Sequence, residues 1–114
     1  MIIHETAQDG VHIIAPAGRI DTTTSGSVED VLRRIVDDGI RDIVVDFADV
    51  EYISSAGLRV FLVLAKRMKD EKGRLVLCTL PQPVRQVFHL AGFMPLFAVE
   101  SSREGALASL SGRA

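Results

Sequence analysis

Hydrophobic and polar positions follow two rhythms along this chain. Val28, Leu32, Ile35 and Val36 recur at i, i+4, i+7 and i+8, while Glu29, Asp30, Arg33, Arg34 and Asp37 fall mostly on the other side. This is the signature of an amphipathic helix with one apolar stripe, and Gly39 suits its C-terminal stop. The Thr/Ser-rich stretch Thr22 to Ser27 before it suits N-capping, and Glu29 and Asp30 fit the positive end of a first turn. A second helix is expected from about Ser55 to Glu71, with Leu58, Phe61, Leu62, Ala65 and Met68 on its inner face and Lys72-Gly73 ending it. Pro81 and Pro83 open a third helix, with Val84, Val87, Phe88 and Ala91 inward and Gly92 as its stop. Ser102 to Leu110 reads as a short closing helix, and Ser111 to Ala114 as a loose tail.

The other rhythm is β. Ile2 to Thr6 and Val11 to Ala17 flank the turn Gln8-Asp9-Gly10 and predict a hairpin. Gly18 to Asp21 and Ala48 to Ser54 read as loops. Ile43 to Phe47, Arg74 to Leu80 and Leu96 to Val99 are short apolar runs bounded by charge or turn residues. The predicted order is β-β-α-β-α-β-α-β-α. Strands alternating with helices imply an α/β fold with one mostly parallel sheet, an antiparallel hairpin at its N-terminal edge and about four helices.

The chain has 114 residues, which suits a single domain over 1–114 with a core of about 2–110. It is 47% hydrophobic and 25% charged, the balance of a globular protein rather than a disordered one. The formal net charge of −2 argues against nucleic acid as the main partner. With no Trp and one Tyr, a base-stacking platform is not expected. No apolar run approaches the ~20 residues of a membrane span, so no membrane insertion is expected. The N-terminus lacks a signal-peptide pattern, and a lone cysteine, Cys78, suits a reducing compartment. A cytoplasmic location follows as the expectation.

The chain carries no recognisable catalytic motif. A nucleophile elbow requires Gly-x-Ser-x-Gly, but Ile53 stands where the first Gly of a motif around Ser55 would be. His4, His12 and His89 form no triad order with it, and with Cys78 they show no metal-ligand spacing. Neither G-x-x-x-x-G-K nor G-x-G-x-x-G occurs. A binding module without cofactors or metal is therefore expected rather than an enzyme.

What remains is the junction Asp49 to Leu58, between the central strand and the second helix, near the carboxyl ends of the strands where α/β folds place function. Ser54 and Ser55 sit where the helix begins, and one of them suits the cap. Asp21, Asp49 and Glu51 are expected at the same end of the sheet. A phosphate on Ser55 would add a charge of about −1.5 to −2 among those carboxylates. Along the helix, Arg59, Val63, Lys66, Arg67 and Asp70 turn away from the core stripe, and Val60 lies at its edge. That mixed face could dock a protein, or it could simply be solvated.

At these residues the chain resembles a known family. The segment VVDFADVEYISSAGLRVFLVLAKRMKDEKGRLVLCTLPQPVRQVFHLAGF is similar to the STAS domain of bacterial anti-sigma factor antagonists, and APAGRIDTTTS matches the family's G-x-[IL]-D loop. The resemblance spans about residues 2–110. It implies a partner switch. The unphosphorylated antagonist binds an anti-sigma factor that is also an ATP-dependent serine kinase, which frees a sigma factor. Phosphorylation of one Ser at the start of the second helix releases the antagonist, and a metal-dependent serine phosphatase restores it. The family's D-S-[ST]-G-L aligns with Ser54-Ser55-Ala56-Gly57-Leu58, so the resemblance puts the phosphoacceptor at Ser55. Ser54 stands in place of the family's Asp and competes for the role. Asp21 matches the loop Asp implicated in kinase contact, with Thr22 beside it. Two other classes stand against this reading: a STAS scaffold subunit of a transporter or signalling complex not controlled by phosphorylation, and a small hydrolase using Ser55.

Overall fold

The computed structural model describes residues 1–111. Six strands, β1 (Ile2–Gln8), β2 (Val11–Ile20), β3 (Asp42–Asp46), β4 (Val50–Ile53), β5 (Arg74–Cys78) and β6 (Ala98–Glu100), are interspersed with four helices, β3 and β4 following one another directly. These are α1 (Ser25–Asp37), α2 (Ser55–Asp70), α3 (Gln82–Leu90) and α4 (Arg103–Ser111). The sheet order is β1-β2-β3-β5-β6, with β4 paired to β2 beside that path. Only β1 runs antiparallel to its neighbour. This is the expected α/β architecture of one mostly parallel sheet with an N-terminal antiparallel hairpin.

The strands sort their side chains by alternation. Ile43, Val45 and Leu77 point into a large core with α1, α2 and α3, while Val44, Val76 and Cys78 point to the opposite face against Ala106 and Leu110 of α4. Covering both faces is what makes Ile43, Val44 and Val45 of β3 consecutive apolar residues. The predicted α1 stripe, Val28, Leu32, Ile35 and Val36, is buried in full.

Several expectations are corrected. Residues 48–54 are not a loop: Val50–Ile53 form β4, and Gly18, Arg19 and Ile20 are strand rather than loop because they pair with Val50, Tyr52 and Ile53. β2 thus changes partner along its length. It bonds β3 from His12 to Ile14 and β4 from Gly18 onward. Pro16, which has no N–H to give a ladder, lies between the two pairings. Gly18 adopts φ +103°, open to glycine and strained for other residues, and the register shifts between it and Arg19.

The inner face of α2 also differs. Val60 and Leu64 are buried, whereas Leu62 and Ala65 are only half-buried, because α2 packs on α1 as well as on the sheet. Ala91 is exposed, as α3 ends at Leu90. The strand expected at Leu96 to Val99 is displaced: Met94–Leu96 form a 3₁₀ turn around Pro95, and β6 starts at Ala98. Strand β5 stops at Cys78, where Thr79 turns to φ +59°. Ser111 belongs to α4, and the rest of the expected tail, 112–114, lies outside the described residues. Among the described residues no helix is long and apolar enough to cross a membrane.

Candidate functional site

The end of β2 organises the site. Its last residue, Ile20, is buried, and its carbonyl accepts the amide of Ser54 at 2.8 Å. The start of α2 is thereby bonded directly to the strand that leads into α1. Gly57 makes this approach possible: a Cβ there would stand 2.7 Å from Ile20 Cγ2 and 2.9 Å from both the Ile20 carbonyl oxygen and Ile53 Cγ1. Below the first turns of α2, Phe61 packs on Phe47 with ring centroids 5.1 Å apart, and Phe47 meets Phe88 of α3 edge-on at 6.0 Å. These rings tie α2 to the core beneath it.

The two serines have different environments. Ser54 is the N-cap of α2: its backbone is extended, φ −91° and ψ 174°, and its Oγ accepts the Gly57 amide at 3.2 Å. It is half-buried. Ser55, the first helical residue, is exposed, and its hydroxyl makes no hydrogen bond among the described residues. The accessible hydroxyl at this helix tip is therefore that of Ser55.

On the other side of Ile20, Asp21 folds the turn into α1. Its carboxylate accepts from the Thr23 amide at 3.0 Å and the Thr23 hydroxyl at 2.7 Å, and its carbonyl accepts the Ser25 amide at 2.8 Å. Those Thr23 hydrogen bonds, hydroxyl first, hold the Asp21 carboxyl below the ordinary aspartate range. Thr24 precedes α1, but its hydroxyl donates to the Arg19 carbonyl at 2.7 Å and accepts the Asp21 amide at 2.9 Å instead of capping the helix. Thr22 is exposed on this turn. Because α1 begins at Ser25, Glu29 and Asp30 lie beyond its first turn, and the expected acidic helix start is not formed.

Asp21, Ser54 and Ser55 thus meet at one end of the sheet. Asp49 does not join them: it precedes β4, at the far end of that strand from Ser54, with its carbonyl accepting the Gly18 amide at 2.9 Å. Glu51 is exposed within β4. Next to it, the Arg19 guanidinium lies over the Tyr52 ring, 4.4 Å from its centroid, joining β2 to β4.

From Ser55 a groove runs between α1 and α2. Its upper part is lined by Ser25, Glu29, Ser55, Ala56, Arg59, Val60 and Val63. Its lower part is apolar, a volume of about 150 Å³ walled by Leu32, Val36, Val60, Val63 and Leu64, with Arg33 and Arg67 at its margins. Of the residues expected on an outer docking face, Arg59 and Val63 line this groove. Val63 is 50% exposed. Lys66 is exposed but outside it, and Arg67 turns to α1, where it bonds Asp37 at 2.6 Å while also holding Glu71 at 2.7 Å. The sequence reading missed the α1 wall, Ser25 and Glu29 above all. The periodic stripe of α1 was the available signal: its Leu32 and Val36 wall the lower groove, but Ser25 and Glu29 lie off the stripe.

Cys78 is buried, and desolvation pushes its thiol up, away from the thiolate. No group of three or more His, Cys, Asp or Glu side chains able to hold a metal occurs among the described residues.

Residues 3–106 match the STAS domain family, and the chain belongs to it. Its relatives within that family are anti-sigma factor antagonists, which are binding proteins and not enzymes. The chain is 43% identical over 101 residues to BtrV of Bordetella bronchiseptica, a protein named as an anti-sigma factor antagonist; the match covers 89% of this chain and 87% of BtrV. It is 28% identical over 102 residues to the anti-sigma-B factor antagonist of Staphylococcus aureus, covering 90% and 94% of the two chains. An anti-sigma factor antagonist from Mycobacterium paratuberculosis superposes with a TM-score of 0.89 at 24% identity, over 96% of this chain and 93% of that one. The antagonist SpoIIAA in its unphosphorylated form gives 0.81 at 18% identity, over 99% of both chains. At these identities the two structures establish the STAS fold.

Proposed function

We propose that this chain is a single-domain, cytoplasmic anti-sigma factor antagonist that works by partner switching. Unphosphorylated, it binds an anti-sigma factor that is also an ATP-dependent serine kinase. Phosphorylation of Ser55 by that kinase releases it, and a metal-dependent serine phosphatase restores the binding form. The observation that carries this reading is the division of labour between the two serines: Ser54 is occupied as the helix cap, while the Ser55 hydroxyl is exposed and uncommitted. SpoIIAA, of the same fold, has a structure in a phosphorylated form.

In the proposed step the Ser55 Oγ attacks the γ-phosphorus of ATP, the bond to the β-phosphate oxygen breaks, ADP leaves, and the hydroxyl proton passes to a base of the kinase. The product carries about −1.5 to −2 charge where a neutral hydroxyl stood. It stands beside the groove between α1 and α2, with Asp21 on the adjoining turn. Arg59, Val63 and Lys66 form the rest of the docking face, with Thr22 at its edge. A phosphate at its head opposes an apolar or acidic partner surface by desolvation and repulsion, and a loss of ~3 kcal/mol lowers affinity more than a hundredfold.

The test is incubation with the cognate kinase and ATP, followed by intact-mass measurement and site mapping. One added phosphate on Ser55, absent from Ser55→Ala, is the expected result. No phosphate on any serine overturns the reading in favour of a STAS scaffold subunit, and phosphate on Ser54 overturns the site.

A further inference from the structure

Arg59 is the cation that the Ser55 recess contains and the unmodified protein leaves unused. It has no ion pair and no hydrogen bond among the described residues, whereas the neighbouring arginines are engaged. Arg33 pairs with Asp30 at 3.2 Å and Glu29 at 3.7 Å, and Arg67 is held by Asp37 and Glu71. Arg59 and Ser55 line the same recess. They are four residues apart on α2, a separation that brings side chains to ~5–6 Å between Cβ atoms. Helical side chains lean toward the N-terminus, so the Arg59 stem is directed back over the turn that carries Ser55. An anion four residues N-terminal to a cation is also the favourable order for such a pair.

We infer that Arg59 is the intramolecular ligand of the phosphate on Ser55, so that modification both adds negative charge to the docking face and withdraws a guanidinium from it. This rests on the phosphorylation of Ser55 proposed above. The guanidinium offers two N–H groups in a plane to the phosphate oxygens, a fit an ammonium lacks. Among the described residues Glu29 of α1 also lines the recess, where it repels the phosphate and is partly balanced by Arg33, and Asp21 stands on the adjoining turn with Arg19 3.9 Å from its carboxylate. Without Arg59 the described lining of the recess would offer the phosphoserine no cation of its own. The two arms of the switch then act together: an acidic partner surface meets a new anion and at the same time loses Arg59 as a contact.

The test places phosphoserine at position 55 co-translationally, so it needs no kinase, and its failure is separate from failure of the phosphorylation assay. The ³¹P resonance is followed from pH 4 to 8 in the otherwise unchanged chain and in Arg59→Gln and Arg59→Lys. The expected result is a second phosphate pKa about 0.3 unit higher in Arg59→Gln, a roughly twofold change in proton affinity, with Arg59→Lys between the two. The Arg59 Nε–H resonance should also move with the phosphate titration in the arginine form. Arg59 is exposed, so both variants keep the fold. Superimposable titrations in all three proteins, or an Arg59 Nε–H signal indifferent to pH, overturn the inference.

Discussion

Gly57 sits so close to Ile20 that a methyl group on its Cα would stand 2.7 Å from the Ile20 side chain and 2.9 Å from the Ile20 carbonyl oxygen. That carbonyl also accepts the Ser54 amide. Gly57→Ala therefore pushes α2 off the strand end that holds its cap. Overpacking of this kind costs about 1–3 kcal/mol, and chemical denaturation should show the loss. An unchanged midpoint would mean that α2 does not rest on Ile20 as described.

The two serines should respond oppositely to truncation. Ser54→Ala removes the acceptor for the Gly57 amide and should cost about 1 kcal/mol in thermal or denaturant unfolding. Ser55→Ala touches no cap and should stay within about 0.5 kcal/mol of the parent. In binding the order reverses: Ser55→Asp should weaken capture by the cognate kinase, and equal affinity would contradict the switch.

Val63 is half exposed at the edge of an apolar groove. Replacing it with Glu should cost no more than about 1 kcal/mol, because half of the side chain already faces water. Affinity for the anti-sigma partner should fall about fivefold or more, as for an interface residue worth over 1 kcal/mol. Calorimetry on the pair, beside an unfolding curve of the variant alone, separates the two effects.

Asp21 makes stability depend on acid. Its carboxyl is held below 3.8, its ordinary value, chiefly by the Thr23 hydroxyl. A group depressed in the folded state contributes stability that is present above the unfolded value and is lost as pH falls through the folded one. Asp21→Asn keeps the acceptor oxygen but removes the titration. Its stability should therefore fall less steeply than the parent's below about pH 4, as read from unfolding curves at stepped pH.

Much of this was readable from the chain because local and tertiary demands agree. In α1 the periodic residues are the buried residues, and the central strands are short apolar runs because helices cover both faces. The strand β4 was hidden for the opposite reason. Only Val50 and Ile53 of its four residues are buried, and among the described residues the strand it pairs with is the far end of β2, thirty or more residues earlier. Pro16 and Gly18 carried a hint of the partner change, but only pairing reveals what it serves. The serine pair was visible as a helix start, and Ser54 and Ser55 both had the right chemistry. Which one caps is decided by a backbone angle and one amide, and neither is written in composition or spacing. The inner face of α2 was partly misread because periodicity finds a single stripe, whereas this helix is pressed from two directions.

The partner change along β2 has a mechanical corollary. Its first half is paired to β3, and its second half reaches past β3 to pair with β4, cap α2 and lead into α1. The serine tip therefore stands on the end of β2, while the Phe61 ring anchors the same helix to the core. A charge can be added or removed there without rebuilding the interior, so one rigid body can present two surfaces in turn.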